Sequence, residues 1–269
     1  MKEKKHWQLE LSALSLKKNK KLKALIKLLR NEKPGKALEI GCDKGVISYY
    51  LRKIFPFSWM SCDPDIENIN STLELVKKDA LQMHGERIPF ENNAFDLVLC
   101  IDLIEHLEDD DALLKEIKRV LRDEGKLFIS VPHVHPLLFV NYLAKILGIT
   151  KEHYNHKRDG YSSRMLIEKL EKNGFRAGRK NTVIGFFTEL IEFTLNFIYS
   201  KFFNKNPENS PSKGRINPGS EKEFKKQEKK LKILRMIYPL MYLFSLLDML
   251  LFFLPGYILI LQAEKEDKS

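Results

Sequence analysis

The sequence predicts an α/β fold in which helices cover both faces of a doubly wound, Rossmann-like sheet. Short apolar strands alternate with amphipathic helices from residue 37 to about residue 184, as in parallel strands joined by right-handed helical crossovers. Residues 95–101 form an apolar run of the kind found in a parallel strand that is buried on both faces. Ligands of such sheets bind at the carboxyl ends of the strands.

The individual elements follow from hydrophobic periodicity and from turn and cap residues. A basic amphipathic helix is predicted at residues 16–31, with leucines on one face and lysines on the other. The strands are expected at residues 37–40, 57–62, 72–77, 95–101, 126–131 and 175–184, and the other helices at 46–54, from about 65, at 109–122 and at 163–173.

A glycine-punctuated turn, residues 41–45, joins the first strand to the helix that follows it. Glycine lets backbone N–H groups and a helix N-terminus approach a ligand closely. Asp63 ends the second strand, so the turn and this carboxylate together predict a site for a nucleoside-bearing cofactor. Asp43 stands where a further glycine is expected, and Asp tolerates a left-handed backbone better than most residues do.

Positive charge is concentrated in two segments of the 269-residue chain, whose net charge is +10. Residues 1–33 hold eleven Lys/Arg against three Glu, and residues 221–235 hold seven against three. Such segments suit an anionic membrane surface or nucleic acid, or they form a solvated face. Cys42, Cys62 and Cys100 form no CxxC pair, which favours reduced thiols in a cytoplasmic protein. The N-terminus lacks the apolar run of a signal peptide, so none is expected.

Five blocks, in order, resemble the class I S-adenosylmethionine-dependent methyltransferases, particularly the group that includes ubiquinone-pathway and glycan methyltransferases. The blocks are residues 38–45, Asp63, Asp79-Ala80 with residues 88–90 and 95–98, residues 104–107, and residues 119–132. The resemblance runs from about residue 36 to residue 175 and implies seven strands, the last of them antiparallel. Residues 257–262 are the candidate for that strand.

The resemblance also implies the cofactor, S-adenosyl-L-methionine. Asp63 would accept hydrogen bonds from the ribose hydroxyls, and Asp79 from the adenine amino group. Glu39 would orient the loop or meet the ammonium end, and Asp43 would lie near the cofactor's positive charges or point to solvent. The full expected set is Glu39, Gly41, Cys42, Asp43, Gly45, Asp63, Pro64, Asp79, Ala80, Cys100 and Ile101.

Methyl transfer mainly requires the nucleophile, the methyl group and the sulfur to be aligned. A general base is needed only where the acceptor must lose a proton. His106 and His133 are the expected catalytic residues, and His135, His153 and His156 are weaker candidates. The alternative is that these are loop histidines without a catalytic role.

Asp102, Glu105 and His106 resemble the cluster by which a minority of these methyltransferases bind a divalent cation. Carboxylates and an imidazole suit Mg²⁺ or Zn²⁺. Most members of the family with Glu-His-Leu at this place bind none, so no metal is expected.

The predicted organisation has four parts: a basic helical segment at 1–33, the methyltransferase domain at 34–184, a helical insertion at 185–256, and the final strand and tail at 257–269. Within the insertion, residues 204–220 have a loop composition, and residues 237–254 form an apolar stretch whose only charge is Asp248. Three interpretations of the apolar segment stay open: a core-covering or dimer-forming lid, a membrane-docking element, or a membrane span at the lower limit of length.

The sequence therefore predicts a methyltransferase that acts on a small or lipid-linked acceptor, with the methylated atom undetermined. A cytoplasmic protein is expected, with an anionic membrane surface as a candidate partner and homodimer formation left open. The alternative is a catalytically inactive, methyltransferase-like interaction module. Nucleic-acid methylation is disfavoured because residues 101–104 follow strand four where an Asn-Pro-Pro-Tyr type segment would be needed.

Overall fold

The computed structural model of the chain describes residues 6–84, 87–148, 156–203 and 221–266. The predicted loop at 204–220 lies outside the described residues. The chain divides into two compact units, which we call the sheet unit and the helical unit. The sheet unit comprises Ala24–Val134, Lys157–Val183 and Ile258–Ser269, and the helical unit comprises Met1–Lys23, His135–His156 and Ile184–Tyr257. The structure thus groups residues 135–156 with the helical unit rather than with the methyltransferase domain expected at 34–184.

Seven strands form one sheet in the order β3-β2-β1-β4-β5-β7-β6. The strands are β1 (Lys36–Ile40), β2 (Ser58–Asp63), β3 (Ala80–Gln82), β4 (Phe95–Ile101), β5 (Leu121–Pro132), β6 (Phe175–Val183) and β7 (Ile258–Lys265). Strands β1 to β5 pair in parallel, and β7 lies antiparallel between β5 and β6. The predicted α/β class and the antiparallel last strand are therefore confirmed.

Ten α-helices are described. They are α1 (Trp7–Ala13), α2 (Leu16–Leu29), α3 (Val46–Ile54), α4 (Ile66–Val76), α5 (Asp110–Val120), α6 (Phe139–Ile146), α7 (Ser163–Lys172), α8 (Phe186–Phe203), α9 (Glu221–Lys226) and α10 (Glu228–Ser245). Two short 3-10 helices are Ile104–His106 and Leu246–Leu251.

The strand predicted at 72–77 is wrong. The chain stays helical to Val76, and β3 begins only at Ala80. The buried side chains of α4 are Ile69, Thr72 and Leu75, and a spacing of three residues places them on one face of a helix. The apolar and β-branched composition of this stretch favours a strand locally, whereas burial against the sheet unit follows the helical period.

The core of the sheet unit lies between the central strands and the helices α5 and α7. Val98, Cys100, Leu127 and Ile129 on β4 and β5 are fully buried. Leu113, Leu114 and Ile117 of α5 and Leu166 and Leu170 of α7 complete the cluster. Leu97 and Leu99, on the other face of β4, are buried as well. A strand with both faces covered has a fixed carboxyl end, as a ligand site at that edge requires.

The helical unit is held by smaller apolar clusters and by hydrogen bonds to the Asp248 carboxylate. Leu234 and Met241 of α10 pack with Leu16, and Ile191 and Leu195 of α8 lie against the same cluster. Within the described residues, the helix Glu228–Leu251 is long and apolar enough to cross a membrane by length and composition, yet only 17% of its most apolar stretch is buried.

Candidate functional site

The turn after β1 is fastened to the end of β2 by its own backbone. The Cys62 carbonyl accepts the N–H groups of Gly41 at 2.8 Å and Cys42 at 3.0 Å. Gly45 then begins α3 with φ +75°. A Cβ at this glycine would lie 2.7 Å from the Thr72 Cα, so α3 and α4 approach each other more closely than any side chain here would allow.

Asp43 occupies the left-handed region with φ +48°, and its side chain is exposed. Its N–H donates to Asp63 Oδ2 at 2.9 Å. The turn therefore tolerates Asp where glycine is usual, and the backbone of the unusual residue helps to hold Asp63.

Asp63 is buried at the carboxyl end of β2 and already accepts three hydrogen bonds. Besides the Asp43 N–H, the Asp65 N–H donates to Oδ1 at 3.0 Å and Asn68 Nδ2 donates to Oδ1 at 2.9 Å. Burial raises the pKa of this carboxyl, while the bonds from Asn68, Asp65 and Asp43 oppose the rise. A carboxylate has about four acceptor positions, so Oδ2 can accept one further hydrogen bond from a ligand hydroxyl without displacing a protein group.

Glu39 lies beneath the turn and is fully buried. Its Oε2 accepts hydrogen bonds from the Ser48 hydroxyl and, at 2.9 Å, from the Ser61 hydroxyl. Burial raises the pKa of this carboxyl, against the opposing effect of those hydroxyls and of Arg52. Glu39 thus joins β1, β2 and the first turn of α3, and it fixes the direction in which that helix leaves the sheet.

Asp79 and Ala80 do not lie where the sequence placed them. Asp79 precedes β3, and its carbonyl accepts the Ser61 N–H at 3.0 Å and an Arg52 guanidinium N–H at 2.8 Å. The expected position at the carboxyl end of the third strand is wrong, because that strand begins at Ala80 rather than ending before Asp79. The adenine-side role of Asp79, which the family resemblance implies, stays a prediction.

The carboxyl end of β3 instead presents Met83 and His84, which the sequence analysis missed. The Met83 N–H donates to the Asp63 carbonyl at 3.0 Å. Met83 is buried and His84 is exposed. The signal that could have found them is the strand register, because Gln82 pairs with Asp63 and the residues after it must reach the same edge. Asn68 was also missed, although it lies in the first turn of the helix that follows Asp63.

The end of β4 closes the other side of the turn. Cys100 and Ile101 are buried, and Asp102 has φ +50°. The Ser130 hydroxyl donates to Asp102 Oδ1 at 2.6 Å, and the Leu103 side chain would lie 3.4 Å from a Cβ at Gly41. The Leu103 side chain therefore lines one side of Gly41.

The three thiols of the site region are not poised as nucleophiles. Burial raises the pKa of Cys62 to about 12 and raises those of Cys42 and Cys100 further. Since the thiolate is the reactive form, these cysteines act as small apolar side chains.

The two expected catalytic histidines follow neighbouring strands. His106 ends the 3-10 helix Ile104–His106 after β4 and is half-buried. His133 follows β5 and is buried. Tyr161 flanks His133: the Pro132 carbonyl accepts the Tyr161 N–H at 2.9 Å, and the Tyr161 carbonyl accepts the Val134 N–H at 3.0 Å. Both histidines thus lie at the carboxyl edge of the sheet.

The weaker candidates have other surroundings. In the helical unit, His135 Nδ1 accepts the Leu137 N–H at 3.2 Å and so caps a turn. His153 lies outside the described residues.

A half-buried ion-pair network, also missed from the sequence, fastens the segment that carries Tyr161. Asp110 accepts hydrogen bonds from the Arg158 guanidinium, the Tyr161 hydroxyl and, at 2.7 Å, Lys169 Nζ. Asp111 accepts from Lys169 at 2.8 Å and from Asn173 at 2.9 Å. The network anchors the backbone beside His133 to α5 and α7.

Comparison with known proteins agrees with this architecture. Residues 38–129 match the family model described as a methyltransferase domain. An uncharacterized protein of Methanocaldococcus jannaschii is 29% identical over 182 residues, which cover 66% of this chain and 70% of that protein. The ubiquinone biosynthesis O-methyltransferase of Xanthomonas oryzae pv. oryzae is 24% identical over 140 residues, covering 44% of this chain. The match spans 54% of that enzyme, about half of its length.

Two solved structures share the fold at low identity. A methyltransferase of Thermotoga maritima, described as S-adenosylmethionine-dependent, has a TM-score of 0.57 and 17% identity, covering 97% of this chain and 93% of its own. The phosphoethanolamine N-methyltransferase 2 of Haemonchus contortus, in complex with S-adenosyl-L-methionine, has a TM-score of 0.58 and 19% identity, covering 92% of this chain and 52% of its own.

Proposed function

Because this chain carries a methyltransferase domain of the class I, S-adenosylmethionine-dependent family, we propose that it transfers a methyl group to a small or lipid-linked acceptor. We further propose that it meets this acceptor at the cytoplasmic face of a membrane. The relatives named above include an O-methyltransferase and an N-methyltransferase, so the atom that is methylated depends on the acceptor.

One observation carries the proposal: the glycine turn after β1 and Asp63 at the end of β2 are hydrogen-bonded to each other through the Asp43 N–H. The pair presents a glycine-punctuated backbone turn beside a carboxylate with one acceptor position left. Those are the features that a ribose with its adjacent amino-acid chain requires. A hydrogen bond from a hydroxyl to an ionised carboxylate stabilises a complex by about 1.5–3 kcal/mol.

S-adenosyl-L-methionine, when bound, supplies a methyl group that is already activated by a sulfonium. The chain's own task is then to align the acceptor and to accept a proton where the acceptor is a hydroxyl. His133 and His106 are the groups at the carboxyl edge that can accept that proton. Because Tyr161 holds the backbone on both sides of His133, we assign the first test of this role to His133.

Isothermal titration with S-adenosyl-L-methionine tests the binding half of the proposal. We expect the wild-type protein to bind, and Asp63→Ala to bind about tenfold to a hundredfold more weakly. Glu74→Ala is the matched control, since it removes an exposed carboxylate from α4 without touching the end of β2. A wild-type protein that binds no cofactor would refute the proposal.

Incubation of labelled cofactor with fractionated lipids, glycans and small metabolites tests the transfer half. We expect label in one fraction, and we expect His133→Asn to slow its transfer while cofactor affinity is retained. Cofactor binding without transfer to any fraction would instead support the alternative, a methyltransferase-like interaction module.

A further inference from the structure

The helical unit exposes an apolar surface that its own packing does not explain. Its outward face on α10 consists of Ile233, Met236, Leu240 and Leu243. The face continues into what we call the apolar tip, residues 249–253, where Met249 is 74% exposed and Phe252 is 85% exposed. Contiguous exposed apolar surface of this kind marks an interaction site.

The surface is presented by a helix that is bound along its whole inner face. Leu231 packs against Trp7 and Leu11 near the start of α10, and Met241 packs against Leu16 further along. The outward residues recur at intervals of three and four, which is one face of a helix. The exposed face is thus a consequence of a fixed helix orientation.

Asp248 fixes the apolar tip in the same unit. Its Oδ1 accepts the Phe187 N–H at 2.7 Å, and its Oδ2 accepts the Thr188 hydroxyl at 2.6 Å and Lys20 Nζ at 2.8 Å. Beyond the tip, the Tyr257 N–H returns to the Ile184 carbonyl at 2.9 Å. A segment that is tied back on both sides in this way is suited to partial insertion rather than to crossing a bilayer.

The charge of the helical unit indicates what covers the surface. Its described segments hold fourteen Lys/Arg against seven Asp/Glu, and seven of those bases lie in residues 222–235, beside the apolar face. An apolar helix face combined with a basic cluster provides the two signals that hold a protein on an anionic leaflet. A second copy of this basic unit would meet it with like charge.

We propose that the outward face of α10 and the apolar tip dock peripherally on an anionic membrane surface, with Met249 and Phe252 inserted at the level of the headgroups. The proposal deepens the membrane location put forward above. It does not depend on the reaction, because docking requires neither cofactor nor acceptor.

Flotation of the full chain with vesicles tests it. We expect binding to phosphatidylcholine vesicles that contain about one-third phosphatidylglycerol, and weaker binding to phosphatidylcholine alone or at high salt. Met249→Ser/Phe252→Ser should lower the affinity for the anionic vesicles about tenfold or more. The control is Ile54→Ser/Met165→Ser, which removes two exposed apolar side chains from the sheet unit, 46% and 51% exposed, and should leave binding unchanged.

A fluorescent reporter locates the contact. Trp7 and Trp59 are buried, so a Phe252→Trp variant adds the indole that senses the membrane. We expect its emission to shift to the blue on addition of anionic vesicles and to be quenched by brominated lipid tails.

The other occupants have distinct signatures. A concentration-dependent dimer that the Met249→Ser/Phe252→Ser variant abolishes, with no vesicle binding, would mean that a second copy of the chain covers the surface. If the cell-expressed protein resisted alkaline extraction from membranes, the segment would cross the bilayer rather than dock on its surface. Equal binding to neutral vesicles, or no binding at all, would also overturn the proposal. Because titration with S-adenosyl-L-methionine is a separate measurement, failure of docking and failure of the methyltransferase assignment are distinguishable.

Discussion

The sheet unit and the helical unit of this chain have contrasting surfaces. The described segments of the sheet unit hold twenty-four Lys/Arg against twenty-four Asp/Glu, whereas the helical unit holds fourteen against seven. Of the twenty-three large apolar side chains that the described residues expose, eighteen belong to the helical unit. The sheet unit therefore has the balanced, mostly polar surface of an ordinary globular domain, whereas the described surface of the helical unit is basic and rich in exposed apolar side chains.

The two units differ in how completely they bury their apolar side chains. In the sheet unit, both faces of the central strands are covered by the chain itself. In the helical unit, α10 packs one of its own faces against the rest of the unit and leaves its opposite apolar face exposed. Apolar area that is removed from water stabilises by about 25 cal/mol per Å², so a partner that covered the outward face would gain binding free energy in proportion to the area buried.

The largest expected effect on stability comes from a comparison of two glycines that have the same backbone conformation. Gly45 in the sheet unit has φ +75°, and Gly148 in the helical unit has φ +72°. A Cβ at Gly45 would overlap Thr72, whereas nothing lies within 4 Å of one at Gly148. Gly45→Ala should lower the free energy of unfolding by about 2–4 kcal/mol, because left-handed strain and crowding add.

Gly148→Ala is the control. Its free energy of unfolding should fall only by the cost of the left-handed backbone, about 1–2 kcal/mol. Urea denaturation followed by circular dichroism measures both variants. Equal losses would mean that the close approach of α3 and α4 is unimportant, and that Gly45 serves the turn alone. The titration above should also show that Gly45→Ala weakens cofactor binding, since it displaces the start of α3.

Asp248→Ala should loosen the helical unit while leaving the sheet unit intact. It removes the acceptor of the Phe187 N–H, the Thr188 hydroxyl and Lys20, which costs about 1–3 kcal/mol when polar groups are left unpaired. We expect faster amide hydrogen exchange at the start of α8 and in the apolar tip, with unchanged exchange in β4 and β5. Glu228→Ala is the control, because the Glu228–Lys232 pair is exposed at 3.8 Å and contributes little.

The same contrast explains how far the sequence could predict the fold. In the sheet unit, periodicity placed α3 at its observed bounds and placed β4 likewise, since burial on both faces leaves a clear apolar pattern. The third strand failed because β3 has only three residues and depends on pairing with β2. Local composition carries little information about such a strand. Asp79 was misplaced for that reason.

Sequence alone could not predict the long-range polar contacts of either unit. Asp110 is buried and holds the half-buried Arg158 and Lys169 in one cluster, although each of the three resembles an ordinary surface charge in the sequence. Likewise, Asp248 is the single charge within an apolar segment of the sequence. It holds the apolar tip through a bond from Lys20, which lies more than two hundred residues away in the chain. Around Asp63, the turn and the carboxylate were predictable, whereas Asn68 required the helix register.

A smaller effect is expected from the charge network of α5, and it depends on pH. The hydrogen bonds from Lys169 and Asn173 hold the pKa of Asp111 well below its usual range. A carboxyl whose folded pKa is lowered stabilises the protein above its unfolded pKa of about 3.9, and this stabilisation is lost as the pH falls below that value. Asp111→Asn should therefore reduce stability at pH 7 by up to about 1 kcal/mol and make the acid transition shallower. Denaturation at a series of pH values measures this, and an unchanged acid slope would contradict it.

The smallest effect is expected at Asp43. Here the direction of the change in cofactor affinity shows which role the carboxylate has. The residue has φ +48° and an exposed carboxylate, and its contact with Asp63 uses only the backbone N–H. Asp43→Gly keeps that contact and relieves strain, so stability should rise by up to about 1 kcal/mol. If the carboxylate is merely tolerated, affinity for S-adenosyl-L-methionine should stay or improve. If it attracts the cofactor's positive charges, affinity should fall even though the turn is better formed, and the fall should shrink at high salt. Asp43→Asn separates the two effects, because it removes the charge while retaining a side chain at the same backbone position.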